Sequence, residues 1–332
     1  MPSESYRGHL AQLTAALSRF IMTPPTWASY RSTTQAAATL LRCTPADIAQ
    51  LVRQGLPCAQ SAQGPLFEYF DLMNVGRFSQ SGVTTPEMVA LTLMRFSRKS
   101  PSTWLGDKEW QVKVRLPGDD PDRYRIRPPD FEAPGVTRLD QHADRPGQAE
   151  AHTGSYTAEV RLTGAHDTIH LPAAREIYRE LLADLHSGKV GYQAVCEPLR
   201  AEHTLAWDLG MADCMVTNRV FADRLRSAGL RARARRGFIL GLVGSEHAWC
   251  EVHEDGRWKS MDVTFAARPA GLAVSRPVPA HDEFVTRCFG ARFNRILPCL
   301  SHDAQSLMYD TTTQQPLPMI GIVSATERTQ PA

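Results

Sequence analysis

Three residues whose side chains could share acyl chemistry follow one another in a single stretch of this chain: Cys214, His247 and Asp262. The segment ADCMVTNRVFADRLRSAG predicts a helix that Cys214 begins, that Asp213 can cap and that Gly229 closes. A thiolate at such a position is favoured by the positive end of the helix and by its unpaired backbone N–H groups. The backbone amide of Cys214 would itself point at an acyl oxygen. A lone thiol is more often a structural cysteine, so the assignment needs a base beside it. HAWCEVHEDGRWKSMDVTF supplies one as a hairpin with Asp255-Gly256 at its two-residue turn. Pairing about that turn sets His247 opposite Thr264 and Trp249 opposite Asp262, which makes His247 and Asp262 diagonal neighbours on one face. A carboxylate there would hold the imidazole, fix its tautomer and stabilise its charged form. A cysteine helix packed on that face would complete a Cys–His–Asp set.

The elements that must position these groups can be read outward from them. YTAEVRLTG alternates as a strand, and PAAREIYRELLADLHSG reads as a helix with Ile177, Leu181 and Leu185 as its apolar stripe. VCEPLRAEHTLAWDLG reads as one further helical segment ending at Gly210, and LRARARRGFILGL as a strand before the hairpin. Arg231, Arg233 and Arg235 fall on one face of that strand, either as a solvated surface or as an attractor for an acidic substrate. Residues 1–100 read as helical, through HLAQLTAALSRFI and TPEMVALTLMRF. Residues 101–155 are crowded with Pro, Asp and Gly and read as a connection carrying one or two strands. The expected order is a helical domain over 1–100, the connection over 101–155, a catalytic domain over 156–270 and an extension over 271–332. That extension should pack on the core and end in a disordered tail.

The stretch from Cys214 to Asp262 resembles the transglutaminase-like branch of the papain-like cysteine enzymes. The resemblance rests on ADC at 212–214, RSAGLRARARRG at 226–237, HAW at 247–249 and DGRWKSMD at 255–262. It implies an α+β papain-like core, a nucleophile helix packed on an antiparallel sheet, preceded by a mainly helical domain. It also maps a catalytic triad onto Cys214, His247 and Asp262. Two departures limit the transfer. Animal tissue transglutaminases read G-Q-C-W at the nucleophile where this chain has A-D-C-M, so their substrate preferences do not carry over. Their calcium-binding acids have no counterpart here, and neither a metal nor a cofactor is expected. The side chain completing an oxyanion hole is not evident. Trp207, Gln193, Asp213 and Trp249 are the candidates for that role or for a substrate pocket, their ordinary reading being core or surface.

Residues 33–77 carry a weaker resemblance, to a MerR-type winged helix-turn-helix. TTQAAATLL and TPADIAQLVRQ would be its two helices, with a wing in QGPLFEYFDLMNVG and a following helix capped by Asp71. Four arginines (31, 42, 53, 77) against Asp47, Glu68 and Asp71 leave a net charge of +1 across 31–77. Phosphate contacts need more cations than that, so peptide or carrier-protein docking is the better expectation than DNA.

Composition agrees with an ordinary globular chain of 332 residues, 42% hydrophobic, with a net charge of +2. No apolar run is long enough to span a bilayer, and MPSESYRGHL lacks the basic start and apolar core of a secretory signal. The seven cysteines are scattered without CxxC pairs, which fits reduced thiols and a cytoplasmic setting. Three function classes follow. The first is acyl transfer from a peptide, amide or carrier-bound thioester, through a thioester on Cys214, to an amine. The second is hydrolysis by the same triad, as in a peptidase or amidase. The third is a non-catalytic regulator binding DNA or a partner.

Overall fold

The computed structural model describes residues 4–116, 123–143, 154–241, 245–271, 282–313, 315–317 and 323–328. Two compact units interleave along the chain. The described residues of 1–98, 184–213 and 267–280 make the first, and those of 99–183, 214–266 and 281–332 the second.

The first unit is mainly helical. Thr44 starts the helix Pro45–Arg53 through a reciprocal capping box with Asp47. The preceding helix, Thr34–Leu41, ends at Arg42 in the left-handed conformation (φ 53°). A hairpin of Ala59–Ser61 and Gly64–Glu68 follows, joined by strand Tyr30–Thr33. The next helix, Tyr69–Phe78, is capped by Glu68 and not by Asp71 as expected. The Asp71 carboxylate accepts instead from the Thr23 backbone N–H and hydroxyl, at 2.9 and 2.8 Å. Leu13, Leu41, Ile48, Leu51, Phe67 and Val75 form the shared core. The segment expected as one helix to Gly210 is broken at Glu202 (φ −93°, ψ 51°) into Glu197–Ala201 and His203–Asp208.

The second unit is built on two antiparallel sheets. In one, strand Tyr156–His166 pairs with Gly106–Val114 along its length and with Val136–Ala143 on its other side, and Val323–Arg328 extends the sheet. The alternation of Tyr156, Ala158, Val160 and Leu162 drives this pairing, because their faces bury against Trp110, Val112 and Val114. The described residues of 101–155 thus supply three strands, counting Tyr124–Ile126, where one or two were expected. Their partners lie far along the chain, which a local reading of Pro and Gly cannot reveal. The extension from 271 is tied in by pairings of the same long range. Ile296–Pro298, Met308–Asp310 and Val323–Arg328 are strands paired to earlier ones. The expected disorder of the final residues falls on 329–332, outside the described residues. Among the described residues, no helix is long and apolar enough to cross a membrane.

The second sheet runs in the order Arg257–Met261, Ser245–Glu254, Ala232–Ile239, Ile296–Pro298. Gly237 lies opposite His247 in it and also opposite Pro298. A Cβ on Gly237 would stand 2.1 Å from the Leu297 carbonyl oxygen, so the close approach of that third strand demands glycine. Gly237→Ala is therefore expected to destabilise the protein by about 3 kcal/mol, at the upper end of overpacking costs. Chemical denaturation of the purified variant measures it, and an unchanged midpoint would show that the strand yields freely.

Candidate active site

Cys214 is the first residue of the helix Cys214–Ser227, which closes at Gly229 (φ 79°) as its sequence predicts. The helix packs Val216, Val220, Phe221 and Leu225 inward. A helix start presents backbone N–H groups, the kind of donor an oxyanion requires. The hairpin follows as expected, with Asp255 and Gly256 both at positive φ (53° and 77°), the twist that suits a two-residue turn. Cys250 faces Met261 and Glu254 faces Arg257, the register read from the sequence.

The strand does not continue through Asp262 as expected. It stops at Met261, and Val263–Gly271 is a helix. Asp262 stands at the head of that helix, its Oδ1 accepting from the Phe265 N–H at 2.9 Å and from the Thr264 hydroxyl at 2.8 Å. Its Oδ2 accepts from His247 Nε2 at 2.5 Å. The carboxylate therefore serves the imidazole and the helix cap together. The Tyr178 hydroxyl adds a bond to the Asp262 carbonyl at 3.4 Å. The helix bearing Tyr178, Pro172–His186, buries Ala174, Tyr178, Leu181 and Leu185. Ile177, expected on that stripe, is only half-buried.

His247 is fully buried, with its ring stacked on Phe265 at 4.2 Å between centroids and 12° between planes. Burial alone would drive the imidazole toward neutrality. The Asp262 carboxylate overcomes it by charge and hydrogen bond, the Cys214 thiol adds to the effect, and the pKa rises from 6.5 to about 9. With Nε2 given to Asp262, the nitrogen left for Cys214 is Nδ1, which is buried without a well-formed hydrogen bond. For Asp262, burial pushes upward, but the His247 charge and the three donated hydrogen bonds hold the carboxyl below its usual 3.8. Cys214, His247 and Asp262 are 5%, 0% and 2% exposed, so the group is shielded from bulk water. Trp249 and Asp262 also border a cavity of about 30 Å³, room for a water or two.

These shifts set a pH window for stability. The raised His247 pKa contributes fully below 6.5 and is lost as pH rises through about 9. The lowered Asp262 pKa contributes above 3.8 and is lost as pH falls through its folded value. The melting temperature should accordingly be highest between about pH 4 and 6.5 and decline toward pH 9 and above. Melting curves of the wild type and His247→Asn across that range test this, the variant losing the alkaline decline.

The remaining candidates make the following contacts. Gln193 is clipped to the backbone of Ile21, accepting from its N–H at 3.0 Å and donating to its carbonyl at 2.7 Å. Asp213 Oδ2 accepts from Arg200 Nε at 2.7 Å and from the Val195 N–H at 3.4 Å. Trp207 is buried in the helix His203–Asp208. All three belong to the first unit, whereas Cys214, His247, Asp262 and Trp249 belong to the second. The Trp249 indole donates to Glu251 Oε1 at 3.1 Å. The arginine face is exposed only at Arg231 and partly at Arg233, and its cations are engaged by acids and a ring. Arg235 is buried against Asp130 at 2.6 Å, Arg233 pairs with Glu251 at 2.7 Å, and Arg231 and Arg233 lie over the Trp258 ring. A cross-strand acid and ring were the missing signals, invisible in the alternation of arginine with alanine. Sequence reasoning also missed Phe265, since a residue expected on a strand gave no hint of a ring platform.

Burial pushes Cys43 and Cys196 up to about 12, and Cys250, Cys288 and Cys299 upward as well. Among the described residues no group of three His, Cys, Asp or Glu side chains could hold a metal ion.

The model of the transglutaminase-like superfamily matches residues 155–263, which therefore form a transglutaminase-like domain and contain all three side chains. Among solved structures, a candidate cysteine protease from Cytophaga hutchinsonii is 11% identical over 67% of this chain and 88% of its own, with a TM-score of 0.30. A TGase crystal structure is 14% identical over 52% of this chain and 56% of its own, with a TM-score of 0.20. No curated protein matches the chain.

Proposed function

From the premise that residues 155–263 are a transglutaminase-like domain, we propose that the chain is a cysteine acyltransferase that forms amide bonds. The Cys214 thiolate attacks the carbonyl of an amide or thioester donor, and the oxyanion forms beside the backbone N–H groups at the head of its helix. The bond to the leaving group breaks as the His247 imidazolium passes it a proton, leaving a thioester on Cys214. An amine then attacks the thioester, gives its proton to His247 and expels the thiolate. Asp262 keeps the ring oriented and stabilises its charged form whenever it holds the second proton.

The observation that carries this reading is the buried Asp262–His247 hydrogen bond, with the Cys214 thiol close enough to act on the same imidazole. The same burial favours an amine over water as acceptor, because a shielded thioester survives until a bound nucleophile meets it. The test offers a panel of N-acetylcysteamine thioesters and short glutamine peptides together with monodansylcadaverine. Fluorescent amide as the main product supports transfer. Free acid as the main product, with no amide at saturating amine, would replace transfer by hydrolysis. The helical residues of the first unit are proposed to dock a peptide or carrier protein. Random duplex DNA at low salt should then give no gel shift, and a shift that disappears with salt would restore the nucleic-acid reading.

A further inference from the structure

We infer that Asn218 is a positioning residue that locks the cysteine helix to the histidine strand. Its side chain is fully buried, and Nδ2 donates to the Cys214 carbonyl and to the Ala248 carbonyl, each at 2.9 Å. One amide therefore joins the backbone of Cys214 to that of the residue after His247. The orientation is forced, since the flipped amide would press its oxygen against two carbonyl oxygens.

The strand explains why the Ala248 carbonyl needs this partner. The His253 N–H donates to the Arg231 carbonyl at 2.8 Å, which marks that cross-strand pair as hydrogen-bonded. Two-residue steps give Arg233–Glu251, Arg235–Trp249 and Gly237–His247 the same character. Arg236–Ala248 is then an intervening pair, whose backbone groups point away from strand Ala232–Ile239. On that outer side, pairing with Arg257–Met261 stops at Cys250. Asn218 stands where the strand has ended. Its Oδ1 is buried with no partner, a cost an apolar residue of similar size would avoid. The double bond from Nδ2 is the reason to hold an amide there.

The inference rests on Cys214 being the nucleophile paired with His247, and its test separates the two. Alkylation of Cys214 by iodoacetamide, followed by peptide mass mapping from pH 5 to 10, is compared in wild type, Asn218→Leu and Asn218→Ser. Leucine fills the volume without a donor. Serine is able to bond back to the Cys214 carbonyl but is too short to reach the strand. In the wild type the profile should bend near pH 9, where His247 loses its proton. Both variants should alkylate on the order of 10-fold more slowly at pH 7 and lose that bend, with folded circular dichroism spectra. A wild-type profile without the bend would overturn the pairing of Cys214 with His247. A wild-type bend retained in both variants would overturn the lock alone. If the leucine variant fails to fold, the serine variant decides by the same two outcomes.

Discussion

Replacing Cys214 by alanine is expected to remove turnover of any acyl donor, by about 10⁴-fold or more, while leaving the melting temperature nearly unchanged. The residue heads a helix whose packing rests on Val216, Val220, Phe221 and Leu225, so loss of one sulfur disturbs little of the fold. Chemistry has no substitute for it. Burial pushes Cys196, Cys250, Cys288 and Cys299 upward, away from the thiolate form a nucleophile needs. Turnover of a thioester probe by purified Cys214→Ala measures the effect. Residual activity within 10-fold of wild type would place the nucleophile elsewhere.

Asp262→Asn is expected to lower kcat/KM by about 10³- to 10⁴-fold and to move its alkaline limb from near pH 9 to lower pH. Asparagine keeps an oxygen for the Phe265 N–H and the Thr264 hydroxyl, so the helix that Asp262 caps should persist. Toward His247 it then presents an N–H donor, which only the neutral imidazole can accept. Burial, which the carboxylate had outweighed, then sets the imidazole pKa and drives it down. Asp262→Ala should differ in kind. It removes the cap as well, costing about 1 kcal/mol, and leaves the buried imidazole with no partner on that side. A pH–rate profile and a denaturation curve for each variant distinguish the effects. An Asp262→Asn limb unmoved from wild type would show that Asp262 does not set the imidazole charge.

The local parts of this molecule were legible because each is written in adjacent residues. Thr44-Pro45 declares a helix start, Gly229 a helix end, and Asp255-Gly256 a hairpin whose register extends to the rest of the strand. That register put an imidazole near a carboxylate before any coordinates did. The route was only partly right, since Asp262 meets His247 from a helix cap and not from a strand. Asp followed by Val-Thr-Phe suits either element, and the choice is made by tertiary packing of Phe265 on His247. Pairings across long separations left no local mark. Ile296–Pro298 beside Ala232–Ile239 and Val323–Arg328 beside Gly106–Val114 are of this kind. The fates of Arg235 and Gln193 were hidden for the same reason, their partners Asp130 and Ile21 lying far away in sequence.

The central claim is a thioester on Cys214, and mass spectrometry of the acid-quenched intact protein addresses it directly. Wild type incubated briefly with an N-acetylcysteamine thioester should gain the mass of one acyl group. Peptide mapping should place that group on Cys214, and added monodansylcadaverine should discharge it as the amide. Turnover without an adduct, or an adduct on any other residue, would contradict the account.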